Sequence, residues 1–360
     1  MLDNRKISPR QYYIMVSLYI IGSAILIIPA TLAVEAKQDA WIASIIAVAV
    51  GLLILPFYIH LGNRFSPMTF VQYTEKVLGK WMGKIFTILF IAGFPFLIAS
   101  LTLRNVGDFM VTQVLPETPI EAIHIFFLCV VIMGIRYGLE PVARTAEFLF
   151  PFVIIAFLLL IILIAPQIDF KNIMPVLENG MKPVLSAAIP HIAFPFIEPV
   201  ILIMLFPYIN RTKENGKALF TGVLIGGVVL IVITVLSILV LGINTERLTY
   251  PSYILGRRIN IGNFLQRIEI IMALIWMITT FFRLILLFYI STVSIAQTFR
   301  VKDSRFLTFP LAIIMFILSI EAIPNSVYLQ ELNKVWPGYA LTFGLGFPLL
   351  LLGVAVLRRK

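Results

Sequence analysis

Long apolar runs separated by short polar segments make up almost the whole chain. A helix needs about 20 apolar residues to cross the hydrocarbon core of a bilayer. Ten runs of this kind are predicted to be membrane-spanning helices, here called spans 1 to 10: residues 12–34, 40–61, 85 to beyond 100, 119–137, 143–165, 184–210, 217–241, 264–297, 306–323 and 335–357. The pattern predicts an all-α polytopic membrane protein with about ten transmembrane helices.

The polar segments between the spans are too short for a soluble domain. Residues 62–84 are the polar connection between spans 2 and 3, and part of this segment, 69–78, has an apolar face suited to the membrane surface. Residues 242–263 are expected to form a polar loop. We therefore expect residues 1–360 to form a single integral membrane domain.

Span 6 contains residues that an ordinary membrane helix avoids: Pro190, His191, Pro195, Glu198 and Pro199. Proline inside a helix removes a backbone hydrogen bond and costs about 3 kcal/mol or more. Broken backbone survives in a bilayer only inside protein or beside a wet cavity, and an intramembrane carboxylate is a candidate for function. We predict that span 6 is discontinuous and that its break forms part of a binding site. The alternative is a proline-kinked helix in which Glu198 has a structural partner.

Span 1 is interrupted in the same way, at Gly22-Ser23-Ala24 and again at Pro29. Small residues let the backbone leave helical geometry, although they also serve ordinary helix packing in membranes. Interrupted spans at matching places in two halves indicate an inverted-repeat transporter fold. The halves would be residues 1–165 and 184–357, in a five-plus-five arrangement, and five spans per half require opposite topology.

Other ionisable residues within the spans also suggest pairings. Arg283 in span 8 is expected at a depth similar to that of Glu198, and an arginine in lipid needs a carboxylate or carbonyl partner. We expect the two to pair, either directly or through the charged ends of a ligand; a fixed structural pair is the alternative. Arg104 and Asp108 are spaced i, i+4 on one helix face, which favours a surface pair. His191 is expected to hydrogen-bond to freed carbonyls, with a proton relay to Glu198 as the alternative.

Composition and charge exclude several classes of function. The chain is 60% hydrophobic and 13% charged, whereas soluble domains are about 45–50% apolar and about 25% charged. The net charge of +10 does not indicate nucleic acid, because twice as many lysines and arginines fall on the side of the two chain ends as on the other, which predicts cytoplasmic termini. No hydrolase, phosphate-binding or metal motif is present, so we expect neither an enzyme nor a cofactor.

Four features of the sequence resemble the endospore germination permease family, the B subunits of nutrient-germinant receptors: the opening stretch KISPRQ at 6–11, Gly22-Ser23 followed by Ile28-Pro29, Gln72-Tyr73 followed by Leu78-Gly79-Lys80, and the short basic C-terminus. The resemblance covers nearly the whole chain. It implies a leucine-transporter-like fold in the spore inner membrane, assembled with an A-type membrane subunit and a C-type lipoprotein.

The resemblance also implies a ligand, which would be a small nutrient, often an amino acid. Its contacts would come from the breaks in spans 1 and 6 and from facing positions of spans 3 and 8: Gly22, Ser23, Ala24, Ser100, Phe194, Pro195, Glu198 and Thr279. Prolines replace the usual glycines of span 6, and proline has no N–H to offer a carboxylate. An amino-acid transporter coupled to H⁺ or Na⁺ would use the same broken helices and is the alternative function.

Overall fold

The structure is a computed structural model that describes residues 6–210, 212–258, 268–323 and 326–358, and most of these residues are helical. Sixteen α-helices are present among them: α1 (Pro9–Ile21), α2 (Ala24–Ala36), α3 (Ala40–Phe65), α4 (Phe70–Leu78), α5 (Lys80–Ile91), α6 (Leu97–Phe109), α7 (Ile120–Tyr137), α8 (Leu139–Ile164), α9 (Met181–His191), α10 (Pro199–Leu202), α11 (Asn215–Leu241), α12 (Pro251–Arg258), α13 (Glu269–Phe299), α14 (Thr308–Glu321), α15 (Ser326–Leu341) and α16 (Phe347–Leu357).

Nine described stretches of helix are long and apolar enough to cross a membrane. One of them, Ala24–Phe65, has 42 residues. At about 1.5 Å per residue it would extend about 63 Å, twice the hydrocarbon thickness. It contains the second half of span 1 and all of span 2, which a 3-10 turn at Lys37–Asp39 separates. This stretch therefore counts as two spans, with α1 as the first half of span 1, and the ten expected spans are present among the described residues. Residues 264–267, the expected start of span 8, lie outside the described residues.

The two interrupted spans are joined at one end. We call the face where α1 begins and α16 ends the inner face, and the opposite one the outer face. At the inner face the strand-like residue before α1, Ile7, pairs with Ile209 after span 6. The N–H of Ile7 donates to the carbonyl of Tyr208 at 2.9 Å, and the N–H of Asn210 donates to the carbonyl of Ile7 at 3.0 Å. Span 1 and span 6 therefore enter the bundle side by side.

The core lies around α1, which packs most extensively against α11. Gly222 and Gly226 on α11 face Val16 and Ile20 on α1, and a Cβ added at either glycine would come within 2.6 Å of those side chains. Close approach of this kind is how small residues hold membrane helices together, since lipid offers no hydrophobic driving force between them. Span 1 is therefore central to the fold, and its break lies deep inside the protein.

The apolar face of segment 69–78, which was expected to suit the membrane surface, is covered by protein. Helix α4 begins with a capping box between Thr69 and Gln72, which satisfies two of the free N–H groups of its first turn. Its apolar face packs on α5 and α16. Tyr73 stacks on Phe65 with ring centroids 4.3 Å apart, and burial raises the pKa of its phenol well above the usual value. The apolar stripe faces protein rather than lipid.

Segment 242–263 is not only a loop, because it contains α12 against the outer half of span 1. Ser252 Oγ donates to the carbonyl of Ile25 at 2.6 Å. In an intact helix that carbonyl would accept from the N–H of residue 29, but Pro29 has none. Helix α12 therefore supplies a hydrogen bond to a backbone carbonyl that Pro29 leaves without a partner. Residues 259–263 lie outside the described part of the chain.

Connecting segments make direct contacts with one another at the outer face. Lys37, after α2, forms an ion pair with Glu246. The carboxylate of Asp39 accepts from the N–H of Leu177 at 3.0 Å. The ion pair joins the segment between spans 1 and 2 to the segment after span 7. The hydrogen bond joins it to the segment after span 5.

The inner face has an open cavity of about 810 Å³. Its walls come from α4, the junction of α7 and α8, and the end of α13, and its polar lining includes Gln72, Glu75, Gln297, Arg300, Lys302, Asp303 and Arg305. Among the described residues, contacts between connecting segments thus lie at the outer face, and an open cavity lies at the inner face.

Candidate functional site

The first break lies in span 1, where the sequence predicted it. Helix α1 ends at Ile21, Gly22 adopts φ 15° and ψ −129°, and α2 begins at Ala24. Gly22 also lacks a side chain for a reason of space, because a Cβ there would lie 2.7 Å from Cδ of Arg283. The glycine therefore supplies both the backbone turn and the room for a neighbouring side chain.

The second break lies in span 6 and is also as predicted. Helix α9 ends at His191, Phe194 is extended with φ −134° and ψ 111°, and α10 begins only at Pro199. The N–H of Ile201 donates to the backbone carbonyl of Glu198. The carbonyl of Ile197, which would accept from Ile201 in a regular helix, is therefore left without that partner. The hydroxyl of Tyr58 reaches that carbonyl at 3.0 Å. The unwound backbone is therefore buried in protein and partly satisfied by a side chain.

Arg283 and Glu198 meet directly between the two breaks. Arg283 Nη2 lies 2.6 Å from Glu198 Oε2, and both side chains are 0% exposed. The same carboxylate oxygen accepts a hydrogen bond from the hydroxyl of Tyr19 at 2.8 Å. The expectation that Arg283 and Glu198 pair is confirmed, and the pairing is direct.

The Arg283 guanidinium is enclosed on its other sides by span 1 and span 6. Its Cζ lies 4.6 Å from the ring centre of Tyr19 and 4.8 Å from that of Phe194. Nη1 donates to the carbonyl of Tyr19 at 3.4 Å. Buried charges are tolerated when they are paired and hydrogen-bonded, and these contacts meet that condition for most of the guanidinium.

Several buried polar atoms beside the breaks have no hydrogen-bond partner within the described residues, among them Glu198 Oε1, Arg283 Nε and Ser23 Oγ. An unsatisfied buried donor or acceptor costs about 1–3 kcal/mol, and more when charged. One oxygen of Glu198 can accept from a cationic group, and the Ser23 hydroxyl can donate to an anionic one. The arrangement is chemically suited to a small molecule carrying both charges.

The other residues predicted to contact a ligand are Ala24, Pro195, Ser100 and Thr279. Ala24 and Pro195 are buried at the breaks themselves. The hydroxyl of Ser100 donates to Phe96 at 3.1 Å, and that of Thr279 to Ile275 at 2.9 Å, both within their own helices. Their part in binding stays a prediction.

His191 does not hydrogen-bond to freed carbonyls, contrary to the expectation. Its side chain is 1% exposed, and neither ring nitrogen has a partner within the described part of the protein. The ring packs against Phe196 with centroids 5.2 Å apart. The expectation is therefore wrong, and the side chain that lies at the freed carbonyl of Ile197 is Tyr58.

Sequence reasoning missed the tyrosines that hold span 6. Tyr19 binds Glu198, Tyr12 donates to the carbonyl of Leu202 at 3.0 Å, and Tyr58 reaches Ile197. Tyr12 and Tyr19 are seven residues apart, so they share one face of α1 two turns apart. That spacing, in a run otherwise apolar, was the signal available.

Arg104 and Asp108 form the expected i, i+4 pair at 2.9 Å, with side chains 16% and 30% exposed. The pair also reaches a neighbouring span, because Arg104 Nη1 donates to the carbonyl of Ile320 at 3.2 Å. Burial, followed by the charge of Asp108, raises the pKa of Tyr250 to about 12. This cluster is near the outer face, away from the breaks.

No group of three or more histidines, cysteines, aspartates and glutamates able to hold a metal ion is found within the described ranges.

A family model described as spore germination protein matches residues 6–327 of this chain. The chain belongs to the spore germination protein family. Relatives in Bacillus subtilis (strain 168) include spore germination protein KB, 32% identical over 100% of this chain and 97% of the relative, and spore germination protein YndE, 27% identical over 99% and 98%. The chain therefore matches nearly the whole length of both relatives.

Solved transporter structures share the fold at low sequence identity. MhsT, solved in complex with L-phenylalanine, aligns with a TM-score of 0.72 and 15% identity over 97% of this chain and 90% of its own. Mhp1, a nucleobase-cation-symport-1 family transporter, aligns with a TM-score of 0.68 and 13% identity over 95% and 78%. The fold is leucine-transporter-like, a five-plus-five inverted repeat. Family and fold together make this multi-pass membrane protein a germinant receptor subunit built as a transporter.

Proposed function

We propose that this subunit senses a small zwitterionic nutrient, an amino acid, at the breaks of spans 1 and 6, and that it acts by binding rather than by catalysis. The observation that carries the proposal is the buried Arg283–Glu198 pair with unpartnered polar atoms on the side of the breaks. In spore germination, binding would shift an equilibrium between two arrangements of the helices that neighbouring subunits detect.

The two ends of an amino acid have suitable partners. Its ammonium group would donate to Glu198 Oε1, which has no partner among the described groups. Its carboxylate would lie at the N-terminus of α2, where backbone N–H groups and the Ser23 hydroxyl point toward the break. Pro195 and Pro199 remove N–H groups from span 6, so the anion belongs at span 1. Gly22 and Ala24 would line this end, and Phe194 would contact the side chain.

The direction of access supports a sensor with two arrangements. The ion pair Lys37–Glu246 and the Asp39–Leu177 hydrogen bonds connect segments at the outer face, whereas the inner face has the open cavity. A nutrient arriving from outside would bind after these contacts open. Its preference for the outward-open arrangement would then supply the free energy for the change.

The proposed setting is the spore inner membrane, with both chain termini on the cytoplasmic side as the distribution of basic residues favours. An A-type membrane subunit and a C-type lipoprotein subunit are the proposed partners. The proposed repeats are residues 1–165 and 184–357, with spans 1 and 6 in equivalent positions.

Germination of spores lacking this gene, tested against single amino acids, identifies the nutrient to which the receptor responds. Complementation with Glu198→Gln should raise the half-maximal concentration of that nutrient by about tenfold or more, the effect of losing one charge-assisted hydrogen bond. Membrane levels are checked by immunoblot. Glu140→Gln is the matched control, because Glu140 pairs with the exposed Arg144 in an i, i+4 contact of 2.7 Å.

An unchanged dose–response for Glu198→Gln at equal protein level would remove Glu198 from the site. The rival function, an amino-acid transporter coupled to H⁺ or Na⁺, has a separate test. Vesicles containing only this chain would accumulate labelled amino acid if the chain is a transporter, and would not if it is a receptor.

A further inference from the structure

The last turn of α1 carries a partial negative charge in the interior of the protein. A helix end leaves its final carbonyls without intrahelical partners and carries about half a negative charge. The carbonyl of Tyr19 belongs to this end, because α1 stops at Ile21 and the backbone turns at Gly22. In transporters with broken helices, half-helix ends and unwound carbonyls coordinate the coupling Na⁺ or H⁺. The end of α1 is therefore a place where this fold attracts a cation.

In this protein the side chain of Arg283 reaches that place. Its Nη1 donates to the Tyr19 carbonyl at 3.4 Å, and its stem passes so close to Gly22 that a Cβ there would lie 2.7 Å from Cδ. Its Nη2 lies 2.6 Å from Glu198 Oε2, with both side chains fully buried. The helix end and the carboxylate, one from each broken span, thus face a single cation attached to α13.

Other side chains hold the guanidinium in this position. The rings of Tyr19 and Phe194 flank it at 4.6 and 4.8 Å, and cation–π contacts of this kind gain strength when water is excluded. The Tyr19 hydroxyl shares Glu198 Oε2 with the arginine at 2.8 Å. Tyr19 therefore contributes its carbonyl and its ring to Arg283, and its hydroxyl to the carboxylate that pairs with Arg283.

We propose that Arg283 is a tethered cation that serves in place of a coupling ion, so that the breaks of spans 1 and 6 are held together without Na⁺. An ion leaves when its concentration falls, whereas a side chain does not, and nutrient sensing would then be independent of external Na⁺. This proposal concerns the same breaks as the proposed function. It is tested with Na⁺ alone and no nutrient, so either proposal can fail without the other.

Removing the arginine should convert the position into an ion site. Glu198 and the Tyr19 carbonyl would then present oxygen atoms, the ligands that hard cations prefer, around a buried negative charge. We expect Arg283→Gln to be stabilised by Na⁺, and Arg283→Gln combined with Glu198→Gln to show no such effect. Arg283→Lys keeps a tethered cation and should behave as the unmodified protein does.

The experiment measures the midpoint of thermal unfolding of the purified full chain, in NaCl and in choline chloride at equal ionic strength. The unmodified protein should have the same midpoint in both salts. The midpoint of Arg283→Gln should be lower than that of the unmodified protein in choline chloride. It should rise as Na⁺ is added, by about 2 °C or more, and reach a plateau. Arg144→Gln, an exposed arginine paired with Glu140, is the matched control and should show no ion dependence.

Two results would overturn the proposal. One is a saturable, Na⁺-specific rise of the midpoint in the unmodified protein. The other is a folded Arg283→Gln variant whose midpoint is the same in both salts. If Arg283→Gln does not fold, binding of radioactive ²²Na⁺ to the unmodified protein and to Arg283→Lys decides the matter: displaceable binding to either contradicts a tethered cation, and its absence in both supports one.

Discussion

Two arginine–carboxylate pairs in the membrane-spanning helices have the same chemistry and different surroundings. Arg283 and Glu198 are 2.6 Å apart and 0% exposed, whereas Arg104 and Asp108 are 2.9 Å apart and 16% and 30% exposed. Each arginine also donates to a carbonyl near the C-terminal end of another helix, Tyr19 in the first case and Ile320 in the second. The two differ mainly in access to water.

That difference determines what each pair can do. Removing charges from water costs several kcal/mol per ion, so losing one partner of a buried pair leaves a charge that nothing else neutralises. Water replaces a lost partner at an exposed pair, which contributes about 0–1 kcal/mol. The Arg283–Glu198 pair therefore holds the two broken spans and α13 together, while the Arg104–Asp108 pair mainly connects α6 to α14.

The largest expected effect is that of Arg283→Met, which leaves Glu198 buried and alone. We expect a loss of about 3–5 kcal/mol in stability, measured as a fall in the thermal midpoint and in the monodisperse fraction on size exclusion. Adding Glu198→Gln should recover much of the loss. If the double variant is less stable than both single variants, the two side chains do not act as a pair.

Tyr19→Phe should have the next largest effect, because it deletes the hydroxyl that binds Glu198 and keeps the ring under Arg283. Hydrogen bonds to charged groups contribute about 1.5–3 kcal/mol. Tyr12→Phe is the matched control, since its hydroxyl binds the neutral carbonyl of Leu202 and should cost about 0.5–1.5 kcal/mol. Equal losses of thermal stability in the two variants would show that the charge of Glu198 does not matter.

Arg104→Met should cost about 1 kcal/mol, from a partly exposed ion pair and one helix-end contact. Salt should reduce this cost, because exposed charges are screened, and should leave the cost of Arg283→Met nearly unchanged. Thermal midpoints at low and high KCl compare the two. A loss for Arg104→Met as large as that for Arg283→Met would contradict the role assigned to burial.

Ser252→Ala tests a neutral hydrogen bond, for comparison with the two charged pairs. The Ser252 hydroxyl donates to the carbonyl of Ile25, which Pro29 leaves without its helical partner. We expect a loss of about 1 kcal/mol in thermal stability. In a Pro29→Ala background residue 29 regains its N–H, so Ser252→Ala should cost less there. If Ser252→Ala costs the same in both backgrounds, the Ser252 hydroxyl does not compensate for the N–H that Pro29 lacks.

Much of this architecture was predictable from local pattern. Apolar runs of the right length predicted the spans, and Gly22 and the prolines of span 6 predicted the breaks, because the cost of each is local to the backbone. Glu198 and Arg283 were identifiable one by one as charges in apolar surroundings. The docking of α4 on α5 and α16 was not, since an apolar face does not show whether lipid or protein will cover it.

The sequence by itself determined that the chain spans a membrane about ten times, that two spans are broken, and which buried charges need partners. These follow from hydrogen bonding and solvation, which act on each segment separately. Only the tertiary structure decided that Arg283 crosses from α13 to the end of α1, that Tyr19 also binds Glu198, and that connecting segments bind one another at the outer face. These features join residues far apart in the chain, and their geometry depends on how the helices pack.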